Sequence, residues 1–224
     1  MIDTIIIPVL NRFDLLERCI RSLGAFERLI IIDNSDSLDA TLVYEWAEPS
    51  HAGQGSIHVL NLPSNLGVAS SWNLGVKLAP FATGWLFLNS DAWFVDDAYQ
   101  AFADDLEDGI VVQAGDPPWC CTWISADAMS RVGLFCERFY PAYMEDVDWD
   151  RRAQIHGIEY RRSAANVGHD NSSTITADPH MRYRNIETHG ANALFYDYRW
   201  SNLENGLPRE YEWRLATRRA QAWE

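Results

Sequence analysis

Lysine is almost missing from this chain. Of 18 basic residues, 17 are arginines and only Lys77 is a lysine, against 32 Asp and Glu, which leaves a formal net charge of -14. Such a balance disfavours non-specific binding to nucleic acid or an anionic membrane, because neutralising phosphates takes clustered positive charge. The densest basic spots are the pairs Arg151-Arg152, Arg161-Arg162 and Arg218-Arg219. Cysteine is also scarce, with four residues at 19, 120, 121 and 136 and no CxxC spacing. That pattern reads as free thiols in a reducing compartment, hence a cytoplasmic protein, rather than a disulfide framework or a thiolate metal site. No run of about 20 apolar residues occurs, so no membrane span and no stable membrane insertion are expected. The opening MIDTIIIPVLNR is too short and too acidic to read as a secretory leader. Repeats and low-complexity tracts are missing. So are GxGxxG, GxxxxGK[ST] and GxSxG, which removes the dinucleotide fingerprint, the P-loop and the hydrolase elbow.

What is present is a regular alternation. With 224 residues, 47 % of them hydrophobic, the chain can build one sizeable core. Apolar runs at Thr4–Val9, Leu29–Ile32, Ile57–Leu62, Trp85–Leu88 and Ile110–Gln113 predict buried strands. Between them, apolar residues recur at helical spacing, as in Leu15, Leu16, Cys19, Ile20 and Leu23. This predicts an α/β fold, a Rossmann-like mixed but mainly parallel sheet flanked by helices. Further on, Trp119–Ser125 and Gly157–Arg161 read as strands, Asp127–Val132 and Asp146–Ile155 as helices, and 169–178 as a polar loop over the site. Residues 180–200 are expected to be helical and the last 20, with Tyr211, Trp213, Leu215 and Trp223, to pack back on the domain. The expected division is 1–115, 116–178 and a small, mostly helical C-terminal extension over 179–224.

Three strand ends carry polar clusters: Asn11-Arg12, Asp33-Asn34-Ser35 and Asn89-Ser90-Asp91. In open α/β sheets the ligand crevice lies outside those carboxyl ends, which points to a small-molecule site. Asp91, closing a buried strand, suits an oxygen ligand of Mg²⁺ or Mn²⁺; the same triplet also suits an Asx-capped turn. Glu145, Asp146, Asp148 and Asp150 fall within six residues beside the aromatics Phe139, Tyr140 and Tyr143. Four carboxylates so close are tolerable at a helix N-terminus, and partial burial would raise a pKa into the range of a general base. The bland reading is an acidic, solvated helix start. His169 sits between Gly168 and Asp170 and reads as a metal ligand, a phosphate contact or an ordinary loop histidine. Asp33 is a turn residue or a hydrogen-bond acceptor for a base or ribose. Gly67 marks a turn, and the helix that follows, carrying Asn73, presents an N-terminus suited to an anion.

Taken in order, IIIPVLNR, IIIDNSDS, NLPSNLGVASSWNLGV, WLFLNSDAWF, VGLFCERFYPAYMEDVDWDRRAQIHG and VGHDNSST resemble the family 2 glycosyltransferases, most of all their rhamnosyltransferase-like branch. The likeness runs over about residues 3–175. It implies a GT-A fold, a nucleoside-diphosphate sugar donor and Mg²⁺ or Mn²⁺. It implies that residues 1–115 bind the donor, with Pro8, Arg12, Asp33, Asn65, Gly67, Asn73, Asn89 and Ser90 around it. Residues 116–178 become the acceptor and catalytic half. Asp91 and His169 become metal ligands, Asp146 the general base with Glu145 beside it, and Trp119, Trp123, Tyr140 and Tyr143 the acceptor-side aromatics. Asn89 stands where many members have the first aspartate of DxD, and Cys136 where many have Asp before Glu137.

The reaction implied is inverting transfer to an acceptor hydroxyl on a saccharide, a protein or a hydroxylated nucleobase. Two other readings stay open: a nucleotidyltransferase acting on a sugar phosphate, and a non-catalytic nucleotide-sugar-binding module. The first would want a Gly- and basic-rich loop after the first strand, where this chain has no glycine.

Overall fold

The computed structural model describes residues 1–47, 55–171 and 179–201. Seven strands form one sheet: β1 (Ile2–Val9), β2 (Phe26–Asp33), β3 (Ser56–Asn61), β4 (Gly84–Leu88), β6 (Ile110–Ala114), β7 (Cys121–Ser125) and β8 (Glu159–Arg162). Their order is β3-β2-β1-β4-β7-β6-β8. The pairs β1–β2, β2–β3, β1–β4 and β6–β8 are parallel, and β7 runs antiparallel between β4 and β6. The sheet is therefore mixed and mainly parallel, the arrangement expected when strand–helix units alternate.

Alternating side chains give each strand two buried faces. Ile5, Ile7, Leu29, Ile31, Leu86 and Leu88 enter one core with residues of α1 (Phe13–Arg21), α2 (Ala40–Ala47) and α4 (Ala98–Asp104). Ile6, Ile30, Ile32, Trp85 and Phe87 enter the other with α3 (Val68–Leu78), α5 (Ala126–Val132) and α6 (Glu145–Ile155). Burial on both faces explains why β1, β2 and β4 read as continuous apolar runs.

Two three-residue strands, β5 (Ala92–Phe94) and β9 (Val167–His169), pair antiparallel outside the main sheet. His169 thus ends a strand and does not lie in the polar loop that the sequence suggests. The pairing is close because Gly168 lies against Trp93, where a Cβ would come within 2.3 Å of the indole. The rest of the expected loop over the site, 172–178, lies outside the described residues, as do Tyr211, Trp213, Leu215 and Trp223.

The long C-terminal helix α7 (Pro179–Ser201) docks on the domain along one stripe. Phe195 meets Phe139 with ring centroids 5.0 Å apart, and Arg151 lies over the Trp200 ring at 4.3 Å. Beneath them Asp148 is fully buried. It accepts from Arg152 Nε at 3.0 Å, Arg199 Nε at 2.7 Å and Trp200 Nε1 at 3.0 Å. Arg152 also donates to the carbonyls of Val132 and Leu134, at 2.8 and 2.9 Å. Asp148 is thus paired with Arg152 of its own helix and with Arg199 of α7.

Removing one member of a buried charge cluster strands the others without compensation. Asp148→Ala is expected to cost about 3–5 kcal/mol of stability, read as a lowered urea midpoint.

Candidate active site

A cavity of about 290 Å³ opens at the carboxyl ends of β1 and β4, beside the head of α6. Its floor comes from the strand ends, with Pro8 the penultimate residue of β1 and Asn89-Ser90-Asp91 directly after β4. One wall is the 65–68 turn leading into α3, packed against the 140–143 loop. The other walls are Trp119 in the 3-10 turn before β7, His169 of β9, and the carboxylates of Glu145 and Asp146 at the start of α6.

The Asp91 end is fixed by the β5–β9 ladder. Ala92 registers with His169, and the Asp170 amide donates to the Asp91 carbonyl at 3.1 Å. His169 Nε2 consequently lies 3.0 Å from Asp91 Oδ1 and 3.4 Å from Asn89 Nδ2. Burial alone would lower the His169 pKa, but the hydrogen bond and charge of Asp91 carry it above the ordinary value. Behind this pair, Arg18 forms an ion pair with Asp170 and lies over the Trp93 ring, 3.5 Å from its centroid.

The opposite wall owes its shape to the backbone. Gly67 has φ +82°, and a Cβ there would meet the Pro141 carbonyl at 2.7 Å. Removing the side chain lets the two loops touch, with Val68 N donating to the Pro141 carbonyl at 2.8 Å and Tyr140 Oη to the Asn65 carbonyl at 3.1 Å. Tyr143 and Met144 follow with φ of 75° and 78°, a left-handed pair without a glycine. α6 begins immediately after them and its Met144 cap supplies no side-chain acceptor. Glu145 is buried, and its Oε2 has no hydrogen-bond partner. Burial, with the Asp146 charge second, pushes its pKa up to about 8. Asp146 is half-buried and accepts from Val147 N at 2.8 Å. Burial raises its pKa as well.

Pro8, Asn65, Gly67, Asn89, Ser90 and Asp91 thus meet at one cavity, and so do Glu145, Asp146, His169, Trp119, Tyr140 and Tyr143. Four residues singled out in the sequence lie elsewhere. Arg12 is forked to Asp14 at the surface, at 2.9 and 2.8 Å. Asp33 is fully buried with both oxygens occupied: Oδ1 accepts from Ser35, and Oδ2 accepts from the Ser37 and Leu38 amides at 2.8 Å each. Asn73 binds both backbone groups of Phe135, at 2.9 Å each, so it shapes the loop before α6 and does not face the ligand space. Trp123 packs inside β7 over Gly84, where any Cβ would lie 2.3 Å from its ring.

Other wall residues escaped the sequence reading. Asn34, next to Asp33, lines the cavity and ties the 65–68 turn down by accepting from Leu66 N at 2.8 Å. Trp72 lines it too and stacks on Trp119 at 5.7 Å. Arg184, Asn185 and Thr188 arrive from α7. Asn34 belongs to a polar strand end and was findable there. The α7 residues reach the cavity through tertiary docking, which leaves no local pattern.

Asp91 and His169 suit a divalent cation that is shared with a ligand. A carboxylate oxygen and an imidazole nitrogen already converge, and Mg²⁺-type ions are commonly held by one or two such groups plus substrate phosphates. Among the described residues no three His, Cys, Asp or Glu side chains form a self-sufficient cage. The four cysteines are buried and no disulfide joins them, and burial pushes the Cys120 thiol, at the cavity wall, up to about 12. Among the described residues no helix is long and apolar enough to cross a membrane.

A mixed sheet of this order, opening at its strand ends on a single cavity closed by helix-borne carboxylates, has the GT-A architecture. Residues 4–122, more than half of the chain, match the family model "Glycosyl transferase family 2", and the chain belongs to that family. Among solved structures the fold is similar to S. aureus TarS, at 15 % identity and a TM-score of 0.56, over 75 % of this chain and 36 % of that one. It is similar to GalNAc-T7 with UDP, GalNAc and Mn²⁺, at 11 % identity and 0.60, over 75 % and 44 %. It is also similar to the mannosyltransferase PcManGT from Pyrobaculum calidifontis in complex with GDP-Man and Mn²⁺, at 14 % and 0.59, over 97 % and 71 %. The chain spans only 36 % and 44 % of the first and second of these proteins, and likeness at such identities concerns the fold. No curated protein matches in sequence.

The raised Glu145 pKa has a consequence for stability. The folded protein keeps that proton up to about pH 8, whereas the unfolded chain releases it near the ordinary value of 4.5. Unfolding therefore releases a proton throughout that window, and stability falls as pH rises through it. Glu145→Gln, neutral at every pH, is expected to flatten this decline. Thermal melts of parent and variant, compared from about pH 5 to about pH 8, measure it.

Proposed function

We propose that the protein is an inverting glycosyltransferase that moves a sugar from a nucleoside-diphosphate sugar to an acceptor hydroxyl, assisted by Mg²⁺ or Mn²⁺, with Asp146 as general base. One observation carries this reading: Asp91 with His169, and Glu145 with Asp146, line the same cavity although they come from segments far apart in sequence.

The donor diphosphate lies over the strand ends, where Pro8, Asn65, Asn89 and Ser90 bound it and the N-terminus of α3 faces it. Asp91 and His169 would hold the cation, which, when bound, would supply positive charge against that developing on the leaving diphosphate. The sugar then points toward the head of α6. Trp119, Tyr140 and Tyr143 supply flat, partly polar surfaces for an acceptor. Asp146, with its pKa raised by burial, is a better proton acceptor than an exposed aspartate. It takes the acceptor proton while that oxygen attacks the anomeric carbon opposite the diphosphate. Glu145, kept neutral up to about pH 8, adds no second negative charge beside it.

A panel of UDP-, dTDP- and GDP-sugars, assayed for released nucleoside diphosphate with and without Mn²⁺, tests the reading directly. Asp146→Asn is expected to retain donor affinity while losing transfer by about 10²-fold or more. Asp91→Ala is expected to abolish the gain in donor affinity that Mn²⁺ gives the parent, measured by calorimetry. The rate of the parent is expected to fall as pH drops through the raised Asp146 pKa. Transfer by Asp146→Asn at the parent rate would remove that residue from the base role.

A further inference from the structure

We propose that Asn192 of α7 is a positioning residue for the carboxylates at the head of α6, which makes the C-terminal helix part of the reaction machinery. The inference rests on the reading of Asp146 as the base. It does not come from the family match, which ends at residue 122, well before α7.

The observations bracket one short segment. Tyr143 and Met144 both hold positive φ, at 75° and 78°, which in non-glycine residues persists only where the surroundings over-determine it. No side chain caps the helix start that follows. What does hold the strained pair is Asn192, which is 5 % exposed. Its Nδ2 donates to the Ala142 carbonyl at 2.9 Å and to the Tyr143 carbonyl at 3.1 Å. Two turns further along α7, Arg199 and Trp200 bind Asp148 Oδ1 at 2.7 and 3.0 Å. One rigid helix therefore grips the chain at 142–143 and again at 148. Glu145 and Asp146 lie between the two grips. The ring of Tyr143 also meets His189 at 5.5 Å, on the same docked stretch.

An amide is suited to this task. It offers two hydrogens from one atom to two successive carbonyls. Without those donors the left-handed pair can relax toward ordinary backbone. The direction in which Asp146 leaves the helix head would change with it, and an error of about 1 Å at a reacting group costs about 10²-fold in rate.

The test combines a structural readout with a kinetic one. Asn192→Ala is compared with the parent and with Tyr99→Phe, which removes a hydrogen bond to the Ala25 carbonyl at the other end of the sheet. Hydrogen exchange by mass spectrometry should speed up in Asn192→Ala over 142–148 and stay unchanged over 85–92. With the donor chosen by the panel, kcat should fall about tenfold or more, with donor KM and UDP or GDP affinity in Mn²⁺ within twofold. Tyr99→Phe should leave kcat at the parent value. Asn192→Ser, which keeps one donor, should fall between parent and Asn192→Ala, and it serves alone if the alanine variant does not fold. Unchanged exchange over 142–148 overturns the proposal, and so does a kcat within twofold of the parent. A parent that transfers from no donor refutes the functional reading, and the exchange comparison then still decides whether Asn192 holds this segment.

Discussion

Burying Asp148 among Arg152, Arg199 and Trp200 takes several charges out of water and returns the cost only if every donor is met. That requirement is directional. It fixes α5, α6 and α7 against one another, since Arg152 also reaches the carbonyls that end and follow α5. Glu145 and Asp146 at the head of α6 are three and two residues upstream of this centre, so the carboxylates at the cavity inherit their place from a cluster that does not line it. The same physics explains why the acidic run 145–150 is tolerated. Each of its carboxylates meets a different environment: Glu145 neutral and buried, Asp146 half-open, Asp148 between arginines, and Asp150 accepting from Trp119 and Tyr160.

At the far wall the governing constraint is steric. Only a glycine at 168 lets β9 lie on Trp93, and that contact brings His169 to Asp91 across 78 residues of sequence. Gly67 performs the equivalent service at the near wall, where two loops close to van der Waals distance. The cavity is thus framed by two missing side chains and one buried charge cluster. On the proposed function, an acidic chain with almost no lysine would answer an anionic donor with a shared cation and helix-end amides.

The fold was legible wherever burial dominated. β1, β2 and β4 announce themselves because both of their faces are inside, and of the polar clusters at their ends Asn34 and Asn89-Ser90-Asp91 line the cavity. Short elements were not legible: β5 and β9 have three residues each, too few for a period, and so His169 looked like part of a loop. Among the site residues, a side chain's type said less than its local competition for hydrogen bonds. Asp33 looked available and is consumed by the amides of its own turn. Asn73 looked like a ligand contact and is spent on Phe135. Trp123 was expected on the acceptor side and is core. Conversely Asn34, one position from Asp33, is the residue of that cluster that faces the cavity. Nothing local distinguishes the two, because the difference is set by how the chain turns after β2.

The stacked pair Trp72 and Trp119 borders the cavity, and Trp119 also hands its indole proton to Asp150. Indole emission responds to nearby charge, quenchers and the polarity of its hydrogen-bond partner. The molecule therefore carries an intrinsic optical gauge in the wall of its own cleft. Arrival of a nucleotide beside these rings would alter their fluorescence, so occupancy of the cleft becomes visible in unlabelled protein without any knowledge of what the acceptor is.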